Sequence, residues 1–124
     1  MGHGYPVKLG RVNRVPKYGV AVIVPEKLTK YILDPENDTG KWRLFKAIGY
    51  DLDNPQDLER DLRRGLREND AEASIKNAKG EKTYVVTMEL GIGTTSRIDT
   101  VWQTDNDDAP PRFITAYKAK KRRM

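Results

Sequence analysis

The 124-residue chain contains no cysteine and a single histidine, His3. The absence of cysteine excludes disulfides, thiol nucleophiles and thiolate metal ligands. His3 stands in a glycine-containing N-terminal segment, and we interpret it as an exposed residue without a catalytic role. The sequence therefore argues against histidine acid–base chemistry and against a histidine metal site, and we expect neither a metal ion nor a cofactor.

Long apolar segments and nucleotide-binding motifs are also missing. No apolar run approaches the roughly 18 residues of a membrane-spanning helix, and the N-terminus lacks the apolar core of a signal peptide. Gly91–Gly93 stands between two predicted strands and not before a helix, so it predicts a turn and not a dinucleotide site. The acidic segment Asp105–Asp108 lacks the glycine and the distal glutamate of a calcium loop, and it also predicts a turn.

The positive charge of the chain is concentrated at its two ends. The formal net charge is +5 and the isoelectric point is about 9.5. Residues 1–17 carry four basic and no acidic side chains, and five more basic residues follow Tyr117. The 14 basic and 18 acidic residues from Tyr18 to Tyr117 give that part a net charge of −4. Basic ends can bind a phosphate backbone by counterion release, but they are also common as solubilising segments, and both interpretations stay open.

The length predicts one domain over residues 18–118, with a basic extended arm or linker at 1–17 and a basic tail at 119–124. Its first half predicts a short strand at Tyr18–Val24 and then three helices. The first helix, "PEKLTKYIL", places Leu28, Tyr31 and Ile32 on one apolar face. The second is "GKWRLFKAIGY", and the third begins after Asn54 and carries leucines spaced by four.

The second half of the chain changes to a period of two. Four strand candidates, separated by turn residues, are "AEASIKNA", "KTYVVTMELG", "SRIDTVWQT" and "RFITAYKA". Helices followed by an antiparallel meander predict an α+β fold, in which N-terminal helices pack on one face of a four-stranded antiparallel sheet. The last two candidates have no clearly apolar side, so the face that meets the helices stays ambiguous.

RNA can be cleaved without a metal ion or a histidine. The 2′-hydroxyl of the substrate must be positioned and deprotonated, and the charge that develops on the adjacent phosphate must be stabilised. Lysine and arginine can stabilise the phosphate, while tyrosine, aspartate or a lysine with a shifted pKa can transfer the proton. The predicted sheet and the start of the second helix carry these residue types, although none of them is specific by itself.

Four segments resemble, in their order and spacing, an uncharacterised domain family of bacterial and phage proteins. The segments are "VIVPEKLTKYILDPENDTGK", "LFKAIGYD", "TVWQT" and "PPRFITAY". The resemblance covers about residues 20–118. The family is labelled adhesin-like and occurs as the C-terminal module of polymorphic toxins. It is similar to the group that contains barnase, EndoU, colicin-type tRNases and RelE, in which helices precede a four-stranded antiparallel sheet that binds RNA.

The resemblance implies which residues form the site. The recurring polar positions of the family correspond to Lys41, Thr100, Arg112, Thr115 and Tyr117. The family usually has alanine after its lysine, where this chain has Trp42, so Lys46 stays an alternative to Lys41.

The function that follows is a metal-independent ribonuclease toxin domain. It would cleave RNA, with tRNA as a candidate substrate, by attack of the 2′-hydroxyl on the adjacent phosphate. Arg112 and Lys41 would hold and neutralise the phosphate, and Tyr117 or Asp99 would transfer the proton. The two threonines would orient hydrogen-bond donors.

Further residues are predicted to bind RNA without taking part in the chemistry. Trp102 either stacks on a base or belongs to the core. The other predicted contacts are the basic residues Lys46, Lys118, Lys120, Lys121, Arg122 and Arg123.

A toxin of this kind implies a neutralising partner, for which a small acidic immunity protein or antitoxin is expected. We expect a monomer without a membrane span that acts in the cytoplasm and is delivered as the C-terminal part of a larger secreted protein. Two other functions stay open. One is a non-catalytic RNA- or protein-binding module of phage or bacterial origin, and the other is a structural accessory domain whose tail keeps it soluble.

Overall fold

The computed structural model describes residues 4–120 and shows an α+β domain, as the sequence predicts. Its strands form one antiparallel sheet in which each strand pairs with its neighbour in sequence. In spatial order the strands are β1 (Val7–Val12), β2 (Ala71–Ile75), β3 (Lys82–Leu90), β4 (Ser96–Thr104) and β5 (Arg112–Lys118). The prediction of four strands is therefore wrong by one, while the four strands of the second half are confirmed.

Three helical segments lie between β1 and β2. They are α1 (Pro25–Lys27), which continues directly as a π-helical segment (Leu28–Ile32), α2 (Trp42–Ala47) and α3 (Pro55–Glu68). Pro25 and Pro55 stand in the first turn of α1 and α3, where a missing N–H costs no helical hydrogen bond. The chain leaves α2 through Gly49, whose φ of 103° favours glycine. No helix within residues 4–120 is long and apolar enough to cross a bilayer.

Strand β1 corrects the prediction that residues 1–17 form an arm or linker outside the domain. It pairs with β2 in a register that shifts between Lys8 and Gly10. Five of its six side chains are exposed and the sixth is half-buried. Because no face of β1 is buried, its sequence does not alternate between polar and apolar residues, and the usual signal of a strand is missing.

The predicted strand Tyr18–Val24 is wrong. Its first three residues form a 3-10 turn, and only Val22 bridges to the sheet. The N–H of Val22 donates to the Pro111 carbonyl at 2.8 Å, and its carbonyl accepts from the N–H of Phe113 at 2.9 Å. Ala21 and Ile23 face the core, whereas the valines on either side of Ile23 are exposed, which produces a strand-like pattern without a ladder of hydrogen bonds.

The helices cover one face of the sheet, and the hydrophobic core lies between the two layers. The three leucines of α3 that are spaced by four are fully buried, as predicted, and α3 packs on β3. Gly65 allows this close approach, because a Cβ at this position would lie 3.1 Å from the Cβ of Met88 and would overlap its sulfur. Every second residue of β3, from Tyr84 to Leu90, is buried on the core face.

A buried hydrogen-bond network joins α3 to the turn between β3 and β4. The Tyr50 hydroxyl donates to Asp61 at 2.6 Å and accepts from the N–H of Gly91 at 2.9 Å. Burial raises the pKa of Tyr50, and the hydrogen bond to Asp61 raises it further. Asp61 is only 2% exposed and also pairs with Arg60 and Arg64. Burial alone would raise the pKa of Asp61, but the hydrogen bonds and the arginine charges outweigh it and hold this pKa below its usual value.

The network predicts the effect of removing one hydroxyl. Tyr50→Phe leaves the Asp61 carboxylate and the Gly91 N–H each without one buried partner, so we expect a loss of about 1–3 kcal/mol of unfolding free energy. Urea unfolding followed by circular dichroism measures this loss. Tyr18→Phe is the matched control, because Tyr18 is exposed. Equal midpoints for the two variants would contradict the role assigned to the network.

Candidate functional site at the edge of the sheet

Within residues 4–120, no helix covers one face of the sheet, and the side chains on this face are mainly polar. Residues directly opposite each other on β3, β4 and β5 include Thr87, Asp99 and Tyr117. The next row on the same face contains Val85, Val101 and Thr115. These side chains are half-buried, so they are ordered by their neighbours and still accessible.

Strand β5 is the last strand of the sheet, and lysines from the helical layer bind to its backbone. The Lys27 ammonium donates to the carbonyl of Ile114 at 3.3 Å, and the Lys41 ammonium donates to the carbonyl of Ala116 at 3.0 Å. Unpaired carbonyls on an edge strand would otherwise depend on water or invite another strand. Each ammonium has three N–H donors, so each lysine keeps donors for a ligand.

Two tyrosines accompany the two lysines. The Lys27 ammonium lies 5.5 Å from the ring centroid of Tyr31, and the Lys41 ammonium lies 5.6 Å from that of Tyr117. The hydroxyls of Tyr31 and Thr115 share a hydrogen bond of 2.8 Å. We call these five residues, Lys27, Tyr31, Lys41, Thr115 and Tyr117, the edge cluster. Both cation–π contacts fix the direction of a lysine side chain that would otherwise be free to rotate.

Asp99 links the edge cluster to the open face. Its carboxylate accepts a hydrogen bond from the Thr87 hydroxyl on β3, and it lies opposite Tyr117 on β5. Burial raises the pKa of Tyr117, and the negative charge of Asp99 raises it further. The phenol of Tyr117 is therefore protonated at neutral pH and can serve as a proton donor.

A groove of about 460 Å³ runs across the open face beside these residues. Tyr117 and Asp99 line it, and so do Lys8 on β1 and Lys120 after β5. The groove thus places two further ammonium groups around the carboxylate and the phenol. It extends over all five strands, and β1, which sequence reasoning placed outside the domain, forms one wall.

Arg112 and Lys46 do not join the edge cluster. Arg112 begins β5, five residues before Tyr117, so the two Cα atoms are about 16 Å apart along the strand. The Arg112 guanidinium pairs with Asp105 in the β4–β5 turn at 3.4 Å. Lys46 is exposed and lines a separate pocket beside Trp42. Of the two lysines, only Lys41 therefore lies in the edge cluster.

Thr100 and Trp102 lie on the core side of β4, which corrects the assignment of Thr100 to the site and favours the core alternative for Trp102. Both are 0% exposed. The Thr100 hydroxyl donates to the Val86 carbonyl and accepts from the indole N–H of Trp102, each at 2.9 Å. Trp102 packs edge-on against Phe113 with ring centroids 5.3 Å apart. Both residues therefore stabilise the core and cannot reach a ligand on the open face.

The structure describes only the first part of the basic C-terminal segment, up to Lys120. Lys118 is exposed at the end of β5, and Lys120 lines the groove. Lys121, Arg122 and Arg123 lie outside the described residues. The tail therefore begins at the same end of β5 as the Lys41 and Tyr117 pair.

Sequence reasoning missed Lys27 and Tyr31. Tyr31 was expected on the apolar face of the first helix, and the structure shows it half-buried with its hydroxyl bonded to Thr115. Lys27 stands four residues earlier, on the same side of the helical segment. A lysine and a tyrosine at this spacing were the only signal in the sequence, and they do not reveal which strand lies beneath.

The effect of the Asp99 charge on the pKa of Tyr117 can be tested by titration. We expect Asp99→Asn to lower the pKa of Tyr117, because it removes a negative charge opposite the phenol. The pKa should stay above its ordinary value of 10, since burial is the larger cause. Ultraviolet titration of tyrosinate measures it, with Tyr117→Phe subtracted in each background. An unchanged Tyr117 pKa in Asp99→Asn would show that the two groups do not interact.

Comparison with known proteins places the chain in a family without assigning an activity. No curated protein and no solved structure matches it. Residues 14–120, which span α1 to β5, match a family described as a domain of unknown function, DUF6883. The match begins after the end of β1. Because the match covers most of the chain, the protein belongs to the DUF6883 family.

Proposed function

We propose that the protein is a metal-independent endoribonuclease of the toxin type, and that its active site is formed by Lys41, Tyr117 and Asp99. The observation that carries the proposal is the meeting of three groups at one end of β5. The Lys41 ammonium lies over the ring of Tyr117, and Tyr117 lies opposite Asp99, with which it lines one accessible groove. These three groups supply phosphate stabilisation, a proton donor and a proton acceptor. The helices on one face and the open polar face on the other agree with the barnase-like plan that the resemblance implies.

The protonation of Tyr117 assigns the two proton-transfer roles. Its pKa is raised by burial and by the charge of Asp99, so the phenol is the acid. Asp99 is then the base, and the hydrogen bond from Thr87 holds its carboxylate in place while other acceptor positions stay free. A carboxylate and a protonated phenol that face each other can thus act as the base and the acid of one site.

Lys41 has an electrostatic role. Its ammonium is fixed by the Ala116 carbonyl and by the ring of Tyr117. A cation held in this way needs little reorganisation when negative charge develops on the phosphate, which is the condition for effective transition-state stabilisation. Arg112 is assigned no role in this step, because it lies at the other end of β5.

The reaction balances with these groups alone. The Asp99 carboxylate takes the proton of the 2′-hydroxyl, and the 2′-oxygen forms a bond to phosphorus. The bond between phosphorus and the 5′-oxygen breaks, and Tyr117 gives its proton to the departing oxygen. The products are a 2′,3′-cyclic phosphate and a 5′-hydroxyl, and exchange with water restores both residues.

An acidic partner follows from the same proposal. A ribonuclease that acts in a cell must be neutralised in the cell that produces it, and the lysines of the edge cluster and the groove favour an acidic surface. Such a partner would cover Lys41 and Tyr117 and would compete with RNA.

The test is cleavage of total tRNA and of a single-stranded RNA in the presence of EDTA. We expect Asp99→Asn and Tyr117→Phe each to lower kcat by about 10²–10⁴, and Lys41→Gln to lower it by about 10²–10³. Lys79→Gln is the matched control, because it removes an exposed ammonium in the β2–β3 turn, away from the cluster.

Two outcomes would contradict the proposal. Wild-type protein that binds RNA and leaves it intact would favour the non-catalytic binding module. Cleavage that persists in Asp99→Asn and Tyr117→Phe would place the active site elsewhere on the molecule.

A further inference from the structure

Two lysines of the helical layer contact backbone carbonyls of β5. Lys27 and Lys41 bind the carbonyls of Ile114 and Ala116, which are two residues apart. At a rise of roughly 3.3 Å per residue, these carbonyls are about 7 Å apart. This distance is comparable to the separation of neighbouring phosphates along an extended nucleic-acid strand. Each lysine is also fixed over a tyrosine ring, so the contact is a pair of similar units and not two scattered charges.

A shallow pocket with mainly apolar walls lies beside the first of these units. It has a volume of about 290 Å³, and Val24, Glu26, Lys27 and Tyr31 line it. Val24 is 45% exposed, so its aliphatic side chain is accessible in this pocket. The pocket therefore offers an aliphatic and an aromatic surface directly beside a fixed ammonium. A nucleobase attached to a phosphate has this combination of a flat apolar face and a negative charge.

Contacts along β5 connect the pocket to the proposed active site. Tyr31 lines the pocket and shares a hydrogen bond with Thr115 on β5. Thr115 is two residues before Tyr117, whose ring lies below the Lys41 ammonium. A chain of contacts thus runs from the pocket along the edge of β5 to the carboxylate and phenol of the groove.

We propose that the edge cluster and its pocket bind a single-stranded segment of RNA. This proposal rests on the function proposed above, because the active site determines the direction in which the RNA strand runs along β5. Consecutive phosphates lie on Lys27 and Lys41, and a nucleobase lies in the pocket against Tyr31. Single strands are required, because bases can stack on a protein side chain only when they are not stacked within a duplex. Lys27 and Tyr31 then bind substrate outside the reacting bond and determine the strand's position.

The test uses an oligonucleotide that cannot be cleaved, so that binding is measured apart from chemistry. A fluorescent 2′-O-methyl RNA lacks the attacking hydroxyl, and its binding is followed by anisotropy over a series of salt concentrations. We expect the single strand to bind at least tenfold more tightly than the same sequence in a duplex. Lys27→Gln should reduce the salt slope by about 0.7, the value for one phosphate contact on a single strand.

Variants of Tyr31 and a matched lysine complete the design. Tyr31→Leu should weaken binding about tenfold, and Tyr31→Phe should keep most of the affinity, because stacking needs the ring and not the hydroxyl. Lys30→Gln, which removes an exposed ammonium from the same helical segment, should leave the affinity unchanged. Circular dichroism of Tyr31→Leu shows whether the fold is retained, and Tyr31→Phe controls for loss of the Thr115 hydrogen bond.

Three results would overturn the inference. The first is equal affinity for single strand and duplex, and the second is a Lys27→Gln variant that behaves like Lys30→Gln. The third is binding of an acidic polypeptide such as polyglutamate without binding of the oligonucleotide, which would identify the edge as a protein-binding surface.

Failure of this site and failure of the proposed catalysis are distinguishable. Binding that depends on Lys27 and Tyr31, without any cleavage of ordinary RNA, would retain this site and reject the enzyme. Cleavage by wild-type protein with normal affinity in Lys27→Gln and Tyr31→Leu would do the reverse.

Discussion

The edge of β5 is the constraint on which the site depends. An edge strand exposes carbonyls that need donors, and here two of them are bonded by ammonium groups from the helical layer. This requirement brings Lys27 and Lys41 to a strand whose open face carries Tyr117. A structural need of the sheet and a cationic surface are thus satisfied by the same side chains.

The helical layer can deliver those lysines only if it is fixed against the sheet. The network of Tyr50, Asp61 and Gly91 fixes it at one end, because it connects the segment after α2, the helix α3 and the β3–β4 turn. The bridge of Val22 to the start of β5 fixes it at the other end. Between these two points the chain passes through α1, which ends at Lys27, and α2, which Lys41 directly precedes. The buried polar contacts therefore help to hold the two lysines in position at the surface.

The regular parts of the fold could be predicted from the sequence. The prediction is wrong where a segment pairs in the sheet without being buried, or is buried without pairing. Helix α3 and strands β2 to β5 were predictable, since proline, spaced leucines and period-two alternation act locally. Strand β1 could not be recognised because both its faces are exposed, and Tyr18–Val24 alternates although only Val22 bridges to the sheet. The resemblance placed Thr100 in the site, and the sequence alone could not show its burial because a buried threonine is indistinguishable in sequence from a surface one.

Some residues of the candidate site could also be identified from the sequence, and others could not. Lys41, Thr115 and Tyr117 lie together at one end of β5, and Asp99 lies opposite Tyr117 through the register of β4 and β5. Lys27 and Tyr31 could not be predicted, because their role depends on which carbonyls the helical segment crosses. Membership of the DUF6883 family adds no activity to this picture, so the chemistry must be tested directly.

The most direct test of the central claim is the chemistry of the RNA ends after incubation with wild-type protein in EDTA. Attack by the 2′-hydroxyl predicts products that carry a 2′,3′-cyclic phosphate or its hydrolysis product at one end and a 5′-hydroxyl at the other. Asp99→Asn protein should give no such products above background. Intact RNA, or products with 5′-phosphate ends, would contradict the account.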